Sequence, residues 1–192
     1  MIKIEEIFSD LPTLEINRLI LRKMKLDDAK DLYDYASDPE VAKYVTWDYH
    51  KSIEDSISYL KSMIQRYENN DVSEWGVVYK ENNKFIGTCG YLWWNPTHAR
   101  AEIAYALSRE YWNKGLMTEA VEKVIRFGFE KMILNRIEAR CMPENIASQR
   151  VLGKVGMTFE GIMRELILVK GIYHDLKLYS ILRKEYYEKG ER

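Results

Sequence analysis

The stretch 112-WNKGLMTEAVEKV-124 decides the fold. From Leu116 onward its apolar positions, Met117, Ala120, Val121 and Val124, recur at three- and four-residue spacing and continue through Ile125 and Gly128. That is the apolar stripe of a helix lying on a core. Immediately upstream, RAEIAYAL (100–107) alternates as a strand does. Between them sits Gly115, with no Ser, Thr, Asp or Asn cap directly before it. A helix that starts this way leaves backbone N–H groups without partners. Either the junction is a plain strand-to-helix turn, or an anion satisfies those donors, drawn by the helix dipole and by a backbone that no Cβ shields. No G-x-x-x-x-G-K-[ST] or G-x-G-x-x-G occurs in the chain, so the turn is neither a Walker loop nor a dinucleotide fingerprint.

Working outward, the 192 residues suit one sizeable core and a single domain, with its body at about 17–183. Hydrophobic residues make up 46% and charged residues 31%, as in ordinary soluble globular chains. Lys plus Arg number 29 against 30 acids, so no basic field recruits nucleic acid. MIKIEEIFSDLP lacks the order of a signal peptide, and no apolar run reaches membrane length, which points to the cytoplasm and to no membrane partner. Cys89 and Cys141 lie on apolar runs without C-x-x-C spacing and read as buried free thiols. His50, His98 and His174 have no metal-site spacing, so no metal is expected. No heptad seam or interface stripe defines an oligomer, and the oligomeric state stays open.

Strand-like runs fall at 18–24, 73–79, 84–94, 100–107, 136–142, 158–169 and 173–183, the last two joined by a Lys170–Gly171 turn. Helical segments fall at 27–38, at 52–67 with a capping-box start from Ser52 to Asp55, after Gly115, and at 145–155. Interleaved elements with antiparallel-looking ends predict an α/β fold: a mixed, mostly antiparallel twisted sheet flanked by helices.

The order R-A-E-I-A-Y-x-L, Y-W-N-K-G-L-M-T-E-A, N-I-A-S-Q-R-V-L-G-K-V-G-M resembles the GNAT acetyltransferase superfamily, and within it the RimJ/RimL-type ribosomal-protein N-terminal acetyltransferases. The opening L-E-I-N-R-L-I-L-R and the closing Y-H-D-L-K-L-Y-S-I-L are similar to that branch as well, so the resemblance spans nearly the whole chain. It implies an acetyl-CoA-dependent N-acetyltransferase whose Gly115 turn holds the pyrophosphate, making the ligand the missing cap. The implied cofactor-binding residues are Ala104, Tyr105, Ala106 and Leu107 on the strand, Trp112, Asn113, Lys114, Gly115, Leu116, Met117 and Thr118 at the turn, and Asn145 and Ser148 on the next helix. Of the family pattern Gln/Arg-x-x-Gly-x-Gly/Ala only the central glycine is kept, and Met117 fits only with its side chain in the core.

Acetyl transfer to an amine needs a neutral nitrogen, help for the oxyanion and a proton for the departing thiolate. Glu102 shares a strand face with Ala104 and Ala106, so it is a candidate general base, or else the ion-pair partner of Arg100 or Arg140. Many relatives carry a tyrosine acid where this chain has Leu152, while RimL-like members have a serine one turn earlier, at Ser148. Ser148 is therefore the candidate thiolate stabiliser, or an ordinary helix serine bonded to its own backbone. Asn145 stands where a helix cap belongs. Trp47, Trp93 and Tyr173 are candidate acceptor-binding residues, near the loops TWDYHKS and WWNPTH and beside Asp175, unless they are partly buried strand-end aromatics and cross-strand pairs.

The acceptor class follows from acidity. A protein α-amine has a pKa of about 8 and lysine about 10.4, so at neutral pH roughly a tenth of the former is already neutral. One carboxylate base and no evident tyrosine acid suit an α-amine, as on a ribosomal-protein N-terminus beginning with Ser or Ala. A small amine (polyamine, amino acid or antibiotic) is the alternative acceptor, and a weakly catalytic CoA-binding module the alternative class.

Overall fold

Period-two alternation builds the sheet and 3.6-residue periodicity covers it on both faces. The computed structural model describes residues 3–190, with side chains through residue 188. Its strands are Leu14–Glu15 (β1), Leu19–Arg22 (β2), Glu74–Tyr79 (β3), Lys84–Asn95 (β4), Arg100–Leu107 (β5), Arg136–Cys141 (β6), Thr158–Val169 (β7) and Ile172–Leu182 (β8). The helices are Ile4–Phe8 (α1), Ala29–Ala36 (α2), Pro39–Ala42 (α3), Ile53–Glu68 (α4), Leu116–Glu130 (α5), Ile146–Lys154 (α6) and Arg183–Gly190 (α7). One sheet holds the strands in the order β1-β2-β3-β4-β5-β6-β8-β7. Only β5 and β6 run parallel; the other neighbouring strands are antiparallel.

The stripe of α5 does what its spacing predicts: Leu116, Met117, Ala120, Val121, Val124, Ile125, Phe127, Gly128 and Phe129 are buried. It packs on the face carrying Tyr91, Ala101 and Ile137. Gly128 permits the closest approach, since a Cβ there would lie 2.4 Å from the Tyr91 hydroxyl and 2.8 Å from Ile137. That hydroxyl donates to the Val124 carbonyl at 2.7 Å. The opposite face is covered by α2 and α4. Tyr35 stacks on Phe85 at 6.1 Å, and the Tyr67 hydroxyl on α4 donates to the Glu74 carbonyl at 2.6 Å. The start of α4 is capped as its sequence implies: Asp55 Oδ2 accepts from the N–H groups of Lys51 (2.8 Å) and Ser52 (3.2 Å).

Three local details depart from the sequence reading. The 27–38 segment is not one helix: a 3₁₀ turn at Leu26–Asp28 leads into α2, and Asp38 caps the separate α3 through the Glu40 N–H. Pro39 explains the break, because it disfavours helical backbone at the residue before it. The last strand stops at Leu182 and α7 follows, with Glu185 Oε2 accepting from the Leu182 N–H at 2.9 Å. The short α1 and β1 precede the first expected strand. The hairpin of β7 and β8 turns as expected at Lys170 and Gly171, whose φ values of 52° and 79° fit a tight two-residue turn. Cys89 and Cys141 are buried and free.

Candidate active site

The parallel pair at the centre of the sheet is incomplete. β5 and β6 are in register only from Arg100 with Arg136 to Glu102 with Glu138. Beyond that, β5 stays with β4 as far as Leu107, while β6 stays with β8 as far as Cys141. The strands splay, so Ile103–Leu107 present backbone polar groups to a gap instead of a neighbouring ladder. Such groups call for a ligand, water or side chains to bond them. One is met from within: the Trp112 indole donates to the Leu107 carbonyl at 2.8 Å. Ala104, Tyr105 and Ala106 line the same gap half-buried.

At the mouth of the gap lies the Gly115 turn. Gly115 is the N-cap of α5 at φ 76° and ψ 0°, and no side chain caps the helix. The left-handed backbone explains the glycine directly. Asn113 is also left-handed, at φ 60°, while Met117 is buried at 5% exposure and so points into the core. A Cβ at Gly115 would meet only the Arg18 guanidinium, at 3.5 Å. Arg18 in turn holds Glu119 Oε1 through Nε at 2.8 Å and Nη2 at 2.5 Å. The turn thus combines open N–H donors of Leu116, Met117 and Thr118, a dipole end, and the cations Arg18 and Lys114. Lys114 Nζ rests 5.2 Å over the Tyr111 ring. Arg18 sits some hundred positions earlier in the chain, in the bend just before β2, where spacing gives no sign of this contact.

Ser148 enters the gap from α6. Its N–H is capped by Asn145 Oδ1 at 3.0 Å, as the sequence suggests for that Asn. Its Oγ lies 2.8 Å from the Tyr105 hydroxyl. Leu152, where relatives carry a tyrosine, is fully buried. A phenol does reach Ser148, but from Tyr105 on β5 and not from α6. Burial pushes the Tyr105 phenol well above its usual range, and the Ser148 hydrogen bond pulls it partway back.

Glu102 lies on the other face and is 3% exposed. Arg140 Nε donates to its Oε1 at 2.8 Å, Arg140 Nη2 to Oε2, and the Trp93 indole to Oε2 at 2.6 Å. Of the alternatives open from sequence, the Arg140 pair is present, while Arg100 turns to Glu138 at 3.5 Å. A cleft of about 450 Å³ beside them is lined by Trp93, Arg100, Arg136, Glu138, Arg140, Met163 and Leu178. Arg136 also forks onto Glu160, at 2.6 Å to each oxygen. Both Glu102 oxygens are thus occupied, by an arginine fork and an indole.

The other candidates separate. The Trp47 ring lies 5.7 Å from that of His50, which in turn lies 6.4 Å from Tyr59 on α4. His50 Nδ1 bonds the buried Ser56 hydroxyl at 2.7 Å, and burial lowers the imidazole pKa despite Asp55. Tyr173 stands 63% exposed near the tip of the β7–β8 hairpin, opposite Leu168. Asp175 Oδ1 accepts from the Glu165 N–H at 2.8 Å, a bond within that hairpin. Among the described residues, no group of three or more His, Cys, Asp or Glu side chains could hold a metal ion.

A split parallel pair with a glycine-capped helix at its mouth defines an acyl-CoA transferase architecture, and the comparisons agree. A family model described as an acetyltransferase (GNAT) domain matches residues 18–158. The chain belongs to the GNAT acetyltransferases, enzymes that take acetyl from acetyl-CoA to an amine. It is 40% identical to the uncharacterized N-acetyltransferase p20 of Bacillus licheniformis, over 92% of this chain and 99% of that one. A GNAT-family acetyltransferase structure from Bacillus anthracis superposes with TM-score 0.81 at 29% identity, covering 91% of this chain and 100% of the other. The ribosomal-protein-S5-alanine acetyltransferase of Vibrio fischeri does so with TM-score 0.77 at 26% identity, over 91% and 98%.

Proposed function

We propose that this N-acetyltransferase acts on a protein N-terminal α-amine. The observation that carries the donor half is the pairing of the β5–β6 gap with the uncapped Gly115 turn. The gap suits an extended arm that bonds β5 as a strand would, and the turn suits a pyrophosphate. In this reading Ala104, Tyr105 and Ala106 line the arm, while Asn113 to Thr118 surround the phosphates with Arg18 beside them. Leu107 contributes packing, because Trp112 already bonds its carbonyl. Asn145 holds Ser148 in place.

The amine nitrogen attacks the thioester carbonyl carbon, a C–N bond forms and the C–S bond breaks. The sulfur leaves as a thiolate, and in this reading the hydroxyl pair of Ser148 and Tyr105, 2.8 Å apart, donates to it. A hydroxyl that bonds the sulfur only as charge develops accelerates the step without tightening ground-state binding. Glu102 serves here as the holder of Arg140 and Trp93 rather than as a proton acceptor.

For the acceptor, likeness to the S5-alanine enzyme and the lower pKa of α-amines support a peptide N-terminus. Thiol release from acetyl-CoA, measured with peptides beginning with Ala or Ser, with spermidine and with internal-lysine peptides, tests it. Release with the Ala or Ser peptides and not with their N-acetylated forms is the expected result. Preference for spermidine would move the acceptor to the small-amine class, and release with none would leave a CoA-binding module.

A further inference from the structure

With Glu102 committed to Arg140, the proton of the incoming ammonium needs another acceptor, and β3 carries one. Glu74 opens that strand on the face that also holds Glu102, and in register its row runs to Gly90 on β4 and on to Ala104 on β5. Gly90 yields its space to Glu74: a Cβ there would lie 2.4 Å from Glu74 Cα and 2.9 Å from its Cβ. The Glu74 side chain therefore lies over β4, one strand from the residues that line the gap. α4 brings the Tyr59 hydroxyl against it, and Tyr59 leads through His50 to Trp47, a residue that sequence reading made a candidate for the acceptor. Buried Thr88, two residues along β4 on the same face and in register with Gly76 and Ala106, flanks that row.

Resting on the acetyl-transfer reading above, we infer that Glu74 is the acceptor-amine site of this enzyme, binding the ammonium beneath Tyr59 and taking its proton. The balance is simple. The carboxylate accepts one proton from the ammonium, and the neutral amine attacks the thioester. The second amine proton goes to the departing thiolate, and Glu74 returns its proton to water. The groups that face the carboxyl are Thr88 on β4, Tyr59, Arg66 and Tyr67 on α4, and Tyr35 on α2, with Cys89 on the reverse face of β4. Burial pushes the Glu74 carboxyl above its ordinary value, against the hydroxyls of Thr88 and Tyr59 and the charge of Arg66. A carboxyl shifted that way is a better base near neutrality than a free one.

The test is Glu74→Gln, compared with wild type in acetyl-CoA affinity by calorimetry, thermal midpoint, and a pH profile of kcat/KM on the best amine of the panel. Expected is unchanged acetyl-CoA affinity and a loss in kcat/KM of about 100-fold at pH 7, shrinking toward pH 9 as the amine deprotonates unaided. Because folding raises this carboxyl's pKa, its ionisation costs stability as pH rises from its ordinary value of about 4.3 through the folded one. The midpoint of Glu74→Gln above pH 7 should then equal or exceed that of wild type. A structural carboxylate would give the reverse, a lowered midpoint with an unshifted rate profile, and that result overturns the inference. Tyr59→Phe is the second variant. It removes a hydroxyl that pulls the carboxyl down, so the acid limb of the profile should move to higher pH, and an unmoved limb counts against Glu74 even where Glu74→Gln fails to fold. Wild-type protein that releases no thiol with any amine overturns the parent reading together with this one. Wild-type activity with superimposable variant profiles overturns this one alone.

Discussion

At the scale of the residue, Gly115 carries the most specific expectation. Its φ of 76° makes a β-branched replacement strained, and a side chain there would fill the space between the turn and Arg18. Gly115→Val should weaken acetyl-CoA at least tenfold, about 1.4 kcal/mol, by calorimetry on a folded variant; wild-type affinity would refute the phosphate role. Ser148 and Tyr105 are one unit if their 2.8 Å contact serves the thiolate. Ser148→Ala and Tyr105→Phe should each lower kcat with acetyl-CoA affinity kept, and the double variant should cost less than the two losses multiplied. Independent losses in single-turnover measurements would separate them. Glu102→Gln should act mainly on stability, because it leaves the Arg140 guanidinium short of its charged partner, at about 2 kcal/mol in denaturant unfolding. An unaltered midpoint with a pH-dependent rate loss would instead return the base to Glu102.

Among the elements, the splay of β5 from β6 matters more than either strand alone. The paired end is tied by charge: Arg136 holds Glu138 at 2.7 Å and Glu160 at 2.6 Å, and Ser180 donates to Glu160 at 2.6 Å, which joins β6, β8 and β7. These bonds, Arg136 first and Ser180 next, hold the Glu160 carboxyl at about 2. A depressed carboxylate contributes its stability above the unfolded value of about 4.3 and loses it as pH falls toward the folded one. The acid limb of midpoint against pH should therefore flatten between about 4.3 and 2 in Glu160→Gln. Salt should shrink the difference, because the pair is partly exposed. A parallel acid limb in the variant would show that the network contributes nothing.

For the molecule as a whole, donor binding should appear as stability, since a ligand that binds only the folded chain shifts the equilibrium by mass action. At 100-fold over Kd, acetyl-CoA should add about 2.7 kcal/mol, a rise of roughly 5–10 °C in Tm for a chain of this size; no shift would contradict donor binding. Much of this was legible in the chain itself. The 3.6-residue stripe of α5, the alternation of the strands, the Ser52–Asp55 cap and the Lys170–Gly171 turn are local signals, and local backbone physics carries them into the fold. The strand–glycine–helix junction, proposed above as the donor site, was legible for the same reason: its unfilled N–H groups follow from sequence neighbours. Side-chain partnership does not. Which arginine takes Glu102, that Tyr105 meets Ser148 across a gap, that Arg18 reaches a turn far along the chain, and that Gly90 makes room for Glu74 all depend on strand order and on where β5 leaves β6. Those contacts join residues distant in sequence, so no period or spacing encodes them, and only the packed sheet decided them.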